Sequence, residues 1–136
     1  MFAELKLYAT CFISFLVVDF IWIGILMKGF YVEKLRPIGR ISGDKFEPNL
    51  GAALVVYIAL SIGVVQFVIP KIQQDSSWLS TFGVGALLGF VVYATYDFTN
   101  YATLKDWTLS LTIVDVAWGA VLCGLVTSAV RCIRDI

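Results

Sequence analysis

Histidine is absent from this 136-residue sequence, and cysteine occurs only as Cys11, Cys123 and Cys132. None of these cysteines has the spacing of a metal site, and without histidine a zinc or haem centre is disfavoured. Ten basic residues balance ten acidic ones, and no block of Lys or Arg suggests a nucleic-acid surface. The sequence therefore predicts no metal site, no cofactor and no nucleic-acid partner.

Four long stretches of the chain hold at most one charged residue each. Residues 7–27 and 107–130 hold one charged side chain each, and residues 48–70 and 76–96 hold none. About 20 apolar residues cross a hydrocarbon core of roughly 30 Å, and each stretch is long enough to do so. The composition agrees, because 60% of the residues are hydrophobic and 15% are charged, against about 45–50% and 25% in soluble domains.

These stretches predict an all-α integral membrane protein that forms a four-transmembrane-helix bundle. In lipid, backbone groups find partners only within a helix, so a helix is expected for each stretch. We expect one domain over residues 1–136, with spans at about 7–27, 49–69, 77–98 and 107–130. The first span is too long for a cleaved signal peptide and contains Asp19 and Trp22, so we expect it to be retained.

Four spans put both termini on one side of the membrane and the first and third loops on the other, which we call the loop face. The loop face carries six basic residues, and the terminal face carries four. Because basic residues favour the cytoplasmic side, this difference favours a cytoplasmic loop face. The expected location is the cell membrane, as a multi-pass protein of a bacterial inner membrane.

Small residues predict how two of the helices pack. Gly85 and Gly89 form a GxxxG pair on the third helix, and Gly119 offers a similar groove on the fourth. Glycines at this spacing let helix backbones approach closely in lipid. We therefore expect the third helix to be the most buried element, with its glycines against another helix.

Three aspartates lie in or at the edge of the spans. Asp19 precedes the end of the first helix by eight residues, Asp115 lies eight residues into the fourth, and Asp97 ends the third. Helical rise places Asp19 and Asp115 about 12 Å from the loop face, and Asp97 near it. All three carboxyl groups should thus share one half of the membrane. Ionisable residues there are rare and costly, so they should face the bundle interior or a water-filled cavity.

Aromatic and polar neighbours accompany these carboxyl groups. The pattern D-x-x-W occurs at Asp19–Trp22 and again at Asp115–Trp118, and the spacing puts each pair on one helical face. We expect the first and fourth helices to be neighbours through these faces. The predicted pocket lies between helices one, three and four and is lined by Asp19, Trp22, Tyr93, Tyr96, Asp97, Asn100, Thr112, Asp115 and Trp118.

A family resemblance follows from the stretch Tyr93–Leu104, together with Trp107, Asp115–Gly119, Asp19–Trp22 and Pro70. With these motifs the sequence resembles the bacterial membrane proteins grouped as domain of unknown function 2177, over essentially its whole length. Phe98 and Tyr101 depart mildly from the expected leucines. The resemblance implies a small multi-pass membrane protein and supplies no activity, substrate or catalytic residue.

Three functions remain open for such a pocket. No basic residue lies in the spans, so at least one carboxyl group should favour its protonated form, and the site suits a cationic or hydroxylated ligand framed by aromatic rings. The leading interpretation is binding or transport of a small molecule or lipid. The alternatives are a membrane-embedded enzyme acting on a lipid or isoprenoid, with an aspartate as acid or base, and an accessory subunit of a larger membrane complex. A transporter of this size is expected to form a homo-oligomer.

Overall fold

The computed structural model describes residues 2–134 and is an all-α membrane bundle. Four of its helices are long and apolar enough to cross a membrane. The first span is α1 (Phe2–Ile21), which continues as a π-helical segment at Trp22–Leu26. The second span is α3 (Leu50–Gly63), which continues as a π-helical segment at Val64–Val68 and a 3-10 turn at Ile69–Lys71. The third span is α4 (Trp78–Thr103) and the fourth is α5 (Leu109–Arg134).

The helix ends are set by capping side chains and by proline. Asn49 precedes α3 and accepts a hydrogen bond from the backbone N–H of Ala52 at 3.1 Å, and Ser77 precedes α4 and accepts from Ser80 at 3.1 Å. Each cap satisfies an N–H group that has no partner within the helix. Pro70 lies in the 3-10 turn that ends the second span.

The first loop contains a short helix and a small hairpin. Helix α2 (Lys28–Leu35) buries Tyr31 and Val32 against the bundle. Two antiparallel strands follow, β1 (Ile41–Ser42) and β2 (Lys45–Phe46). Gly43 in their turn has a φ of 59°, a left-handed conformation that favours glycine. The loop therefore holds α2 over the loop face of the bundle.

Helix α4 is longer than the sequence predicts, since it continues from the expected end at residue 98 to Thr103. The added turn contains polar residues that we expected to lie in the third loop. Thr95, Thr99 and Thr103 each donate a hydrogen bond to the carbonyl oxygen four residues earlier, at 2.6–2.8 Å. These bonds satisfy the hydroxyl groups within the helix, so the helix does not need to end at the first polar residue.

Helices α4 and α5 pack closely through glycine. A Cβ atom added to Gly85 would lie 2.7 Å from the carbonyl oxygen of Cys123, and one added to Gly89 would overlap the backbone of Gly119. The expected packing of the glycine pair against another helix is thus present. The expectation that the third helix is the most buried was wrong. Buried residues make up 44% of the apolar 18-residue stretch of α5, against 17% of the corresponding stretch of α4. Helix α4 contacts α5 and the second span, whereas α5 contacts α1 as well as both of these elements.

Candidate functional site

Asp19 lies in the interior of the bundle, where 5% of its surface is exposed. Its carboxylate accepts hydrogen bonds from the Tyr57 hydroxyl at 2.6 Å and from the Trp118 indole N–H at 2.8 Å. The two donors come from α3 and α5, so this one carboxylate joins three spans. Such bonds compensate the cost of placing a carboxyl group among apolar side chains.

The two tryptophans of the D-x-x-W motifs stack on each other. The ring centroids of Trp22 and Trp118 are 4.3 Å apart and the ring planes differ by 7°. Trp22 also begins the π-helical extension of the first span. Its indole N–H donates to the Tyr31 hydroxyl at 3.2 Å, and that hydroxyl donates to the Asp115 carboxylate at 2.6 Å. The first and fourth helices are therefore neighbours through their D-x-x-W faces, as the sequence predicts.

Tyr31 connects the first loop to the buried carboxyl groups. The residue is 3% exposed, although it lies outside the spans. Burial, and next the negative charge of Asp115, raise the pKa of the Tyr31 phenol above its ordinary value. Tyr31 thus remains a hydrogen-bond donor to Asp115 throughout the neutral pH range.

Asp97 is fully buried, with 0% of its surface exposed. Among residues 2–134, neither oxygen of its carboxyl group has a hydrogen-bond partner. The structure therefore buries this carboxyl group without the hydrogen bonds that Asp19 and Asp115 receive.

A cavity of about 500 Å³ lies beside Asp115. Its walls come from α3 and α4, and Asp115 is the residue that α5 contributes. The lining residues are Val56, Ala59, Leu60, Gly63, Leu88, Val92, Tyr93, Tyr96 and Asp115. The cavity, called the groove below, lies between the second and third spans, whereas the sequence placed the pocket between helices one, three and four.

The two tyrosines of the groove have different surroundings. Tyr93 packs its ring against Gly119, where a Cβ atom would overlap the ring, and it is partly buried. Tyr96 is 58% exposed and meets Trp107 edge to face, with ring centroids 5.8 Å apart. Gly119 thus serves the placement of Tyr93 in addition to backbone packing. Tyr96 lies at the side of the groove that faces the surroundings of the bundle.

Two other predicted site residues, Thr112 and Asn100, do not line the groove. The Thr112 hydroxyl accepts a hydrogen bond from the Trp107 indole at 3.0 Å and lies within 3.3 Å of the Thr108 carbonyl oxygen. Asn100 is partly exposed near the end of α4, and its backbone carbonyl accepts the N–H of Leu104. Both residues instead bond to the segment that joins α4 to α5, Thr112 through Trp107 and Asn100 through Leu104.

Sequence reasoning missed Tyr31 and Tyr57, the two hydroxyl donors to the carboxylates. Tyr57 lies within the second span, which has no charged residue, and one turn before the buried Ser61. A tyrosine at that depth was the available signal, because its hydroxyl needs a partner when buried. Tyr31 gave no such signal, since aromatic residues near a span end are common at the membrane interface.

The described residues contain no group of three or more Cys, Asp or Glu side chains arranged to hold a metal ion. What the site offers is a pair of carboxyl groups, phenol hydroxyls and aromatic faces beside an apolar groove. This chemistry can accept a hydrogen bond, bind a cation or share a proton.

Four spans, a bundle interior with buried carboxyl groups and an extramembrane loop define a small multi-pass membrane protein. Residues 4–131 match the family model described as Predicted membrane protein (DUF2177), which covers nearly the whole chain. The chain belongs to this family, as its motifs indicate. No curated protein and no solved structure matches it.

Proposed function

We propose that this protein binds a lipid-like amphiphile in the groove, with the apolar chain between α3 and α4 and the polar group at Asp115. The observation that carries the proposal is a mostly apolar groove of about 500 Å³ that has the carboxyl group of Asp115 in its lining. That volume lies within the range of about 300–1,000 Å³ typical of ligand sites, which are mostly apolar with few polar groups.

The position of the polar group along the membrane supports this orientation. Asp115 lies six residues after the start of α5, and Val56 six residues after the start of α3, so both are about 9 Å below the loop-face ends of their helices. Gly63 lies 13 residues into α3, about 20 Å deep. A ligand with its polar group at Asp115 would therefore extend its chain toward the membrane centre, as a lipid of the loop-face leaflet does.

The groove is also accessible from the side of the bundle. Val56 and Val92 on its walls are 53% and 40% exposed, and no described residue outside α3, α4 and α5 lines it. In a bilayer these exposed faces meet lipid chains. A membrane-dissolved molecule can thus enter laterally without crossing the loop face. We propose that the protein lies in the bacterial inner membrane and takes up its ligand there.

The experiment uses a diazirine-bearing long-chain alcohol and the full-length protein in nanodiscs of neutral lipid. We expect saturable photolabelling of Leu88 or Val92, mapped by mass spectrometry and suppressed by excess unlabelled dodecanol. Ala59→Phe should abolish the saturable labelling, because Ala59 lines the groove. Ala52→Phe is the matched control, since Ala52 is an exposed alanine of the same helix that does not line the groove.

Both variants alter exposed positions, so their thermal unfolding should match that of the wild type. Labelling that does not saturate, or that is equal in the wild type and in Ala59→Phe, would overturn the proposal. In that case the polar residues would serve packing alone, as in an accessory subunit of a larger complex.

A further inference from the structure

Two polar side chains that line the groove can each form one more hydrogen bond. The Oδ1 atom of Asp115 accepts the Tyr31 hydroxyl at 2.6 Å, which leaves Oδ2 for a second donor. Tyr93 lines the same groove. Within the described chain its hydroxyl makes no hydrogen bond, although the protein does not enclose it. The groove therefore offers a ligand one hydrogen-bond acceptor and one donor.

The packing of α4 on α5 brings these two side chains together. The ring of Tyr93 packs against Gly119, where a Cβ atom would overlap the ring. Gly119 follows Asp115 by four residues on α5, so the two positions share one face of the helix and lie about 6 Å apart along its axis. The phenol ring thus meets α5 one turn from the carboxyl group. One small polar group of a ligand can therefore contact both side chains.

The charge of the groove limits what this polar group can be. No Lys or Arg occurs within residues 7–27, 49–70, 76–104 or 107–130, so the sequence supplies no basic side chain at this depth. A carboxylate or phosphate group would meet the Asp115 carboxyl without a compensating cation. Burying an unpaired charge costs far more than burying a hydrogen-bonded neutral group. The groove therefore disfavours fatty acids and lipid phosphates.

Hydrogen-bonding capacity limits the polar group further. An ammonium group donates to a carboxyl oxygen but has no lone pair to accept the Tyr93 hydroxyl, and an ether oxygen accepts but cannot donate. A hydroxyl group both donates and accepts, and it carries no charge. It can therefore satisfy Asp115 Oδ2 and the Tyr93 hydroxyl at the same time.

Building on the proposed function, we propose that the amphiphile is a neutral long-chain alcohol, whose hydroxyl group donates to Asp115 and accepts from Tyr93. The hydroxyl lies between α4 and α5, and the chain follows the apolar walls of α3 and α4 toward the membrane centre. The Tyr31 hydroxyl remains bonded to Oδ1 in this arrangement, so the ligand adds a second donor to the carboxyl group without displacing the first.

Competition against the diazirine-bearing alcohol in nanodiscs tests the class of ligand. The competitors share one alkyl chain and differ in the polar group, and their concentrations are expressed per lipid to correct for partitioning. Dodecanol should compete about tenfold better than dodecyl methyl ether, because the ether cannot donate to the carboxyl group. Dodecanoate and dodecylamine should also compete more weakly than dodecanol.

Tyr93→Phe tests the second hydrogen bond, because it removes the hydroxyl and keeps the ring that packs against Gly119. The concentration of the alcohol probe that half-saturates labelling should rise about threefold to tenfold. Competition by dodecane, which has no polar group, should keep its wild-type dissociation constant. Tyr101→Phe is the matched control, since Tyr101 is an exposed tyrosine of the same helix that does not line the groove.

Asp115→Asn tests the other partner. The amide N–H of asparagine can donate to an ether oxygen, so dodecyl methyl ether should gain on dodecanol in this variant. A role of Asp115 in packing alone would weaken all competitors equally and leave their ratio unchanged.

The outcomes separate this inference from the proposed function. If the alcohol labels the groove saturably but the ether, dodecanoate or dodecylamine competes as well as dodecanol, the hydroxyl assignment is wrong and the groove remains a lipid site. Unchanged half-saturation in Tyr93→Phe, or an unchanged ratio of ether to alcohol in Asp115→Asn, would also overturn the assignment. If the alcohol shows no saturable labelling, both proposals fail together.

Discussion

The indole rings of Trp22 and Trp118 lie nearly parallel, 4.3 Å apart, and join the first span to the fourth. Each ring also donates a hydrogen bond, Trp22 to Tyr31 and Trp118 to Asp19. The stack therefore connects two carboxyl groups, since Trp118 donates to Asp19 and Trp22 reaches Asp115 through the Tyr31 hydroxyl. This arrangement fixes the separation of α1 and α5 at the depth of the site.

The stack should be visible by spectroscopy. Two parallel indoles at this distance couple their electronic transitions, so the wild type should show an exciton couplet in circular dichroism. Either Trp22→Phe or Trp118→Phe should remove the couplet. Trp78→Phe should keep it, because Trp78 lies at the start of α4 and packs on Arg131 instead. A couplet that survives both single variants of the stacked pair would show that these rings do not stack in the membrane.

Replacing Gly89 by leucine should destabilise the protein strongly. Any Cβ atom at this position overlaps the backbone of Gly119 and approaches Cys123 Cβ to 2.9 Å, so the two helices must separate. Because backbone cannot yield as a side chain does, we expect a loss above the usual overpacking cost of about 1–3 kcal/mol. Gly83→Leu on the same helix is the control, since a Cβ atom there meets nothing within 4 Å. Unfolding by sodium dodecyl sulfate compares the two, and equal stabilities would contradict the close packing.

Thr127→Val should leave stability unchanged or raise it by about 1 kcal/mol. The Thr127 hydroxyl is buried and has no hydrogen-bond partner among the described residues, so replacing it with a methyl group removes an unsatisfied polar atom. Thr112→Val is the matched comparison. Its hydroxyl accepts the Trp107 indole N–H, and losing it should cost about 1 kcal/mol. The prediction would be wrong if the two variants changed the free energy of unfolding in the same direction.

Alkaline pH should destabilise the protein partly through Tyr31. Burial and the Asp115 carboxylate raise the pKa of its phenol in the folded state, so the folded state favours the neutral form. The contribution of Tyr31 to the free energy of unfolding is complete below the phenol pKa of the unfolded chain, about 10, and is lost as the pH rises above that value. Tyr31→Phe should therefore lose less stability than the wild type between about pH 9 and pH 11. Tyr101→Phe changes an exposed position, and its stability should fall over the same pH range as that of the wild type.

Several features of the fold follow directly from the sequence. Uncharged stretches located the four spans because hydrocarbon tolerates few charges, and helical rise put Asp19 and Asp115 at matched depths. The glycine spacing predicted that Gly85 and Gly89 lie against another helix. The binding or transport function and the roles of the site residues remain predictions, since sequence pattern alone does not identify a ligand.

Only the tertiary structure decided which faces of the helices meet. In lipid, apolar residues cover both the outside of the bundle and its interior, so hydrophobic periodicity does not fix how each helix is rotated. The sequence could therefore place Asp97 near the loop face, but its complete burial depends on how α4 packs against the other helices. For the same reason the sequence did not predict that Tyr31 and Tyr57 donate hydrogen bonds to Asp115 and Asp19. The groove between α3 and α4 likewise depends on how these helices pack.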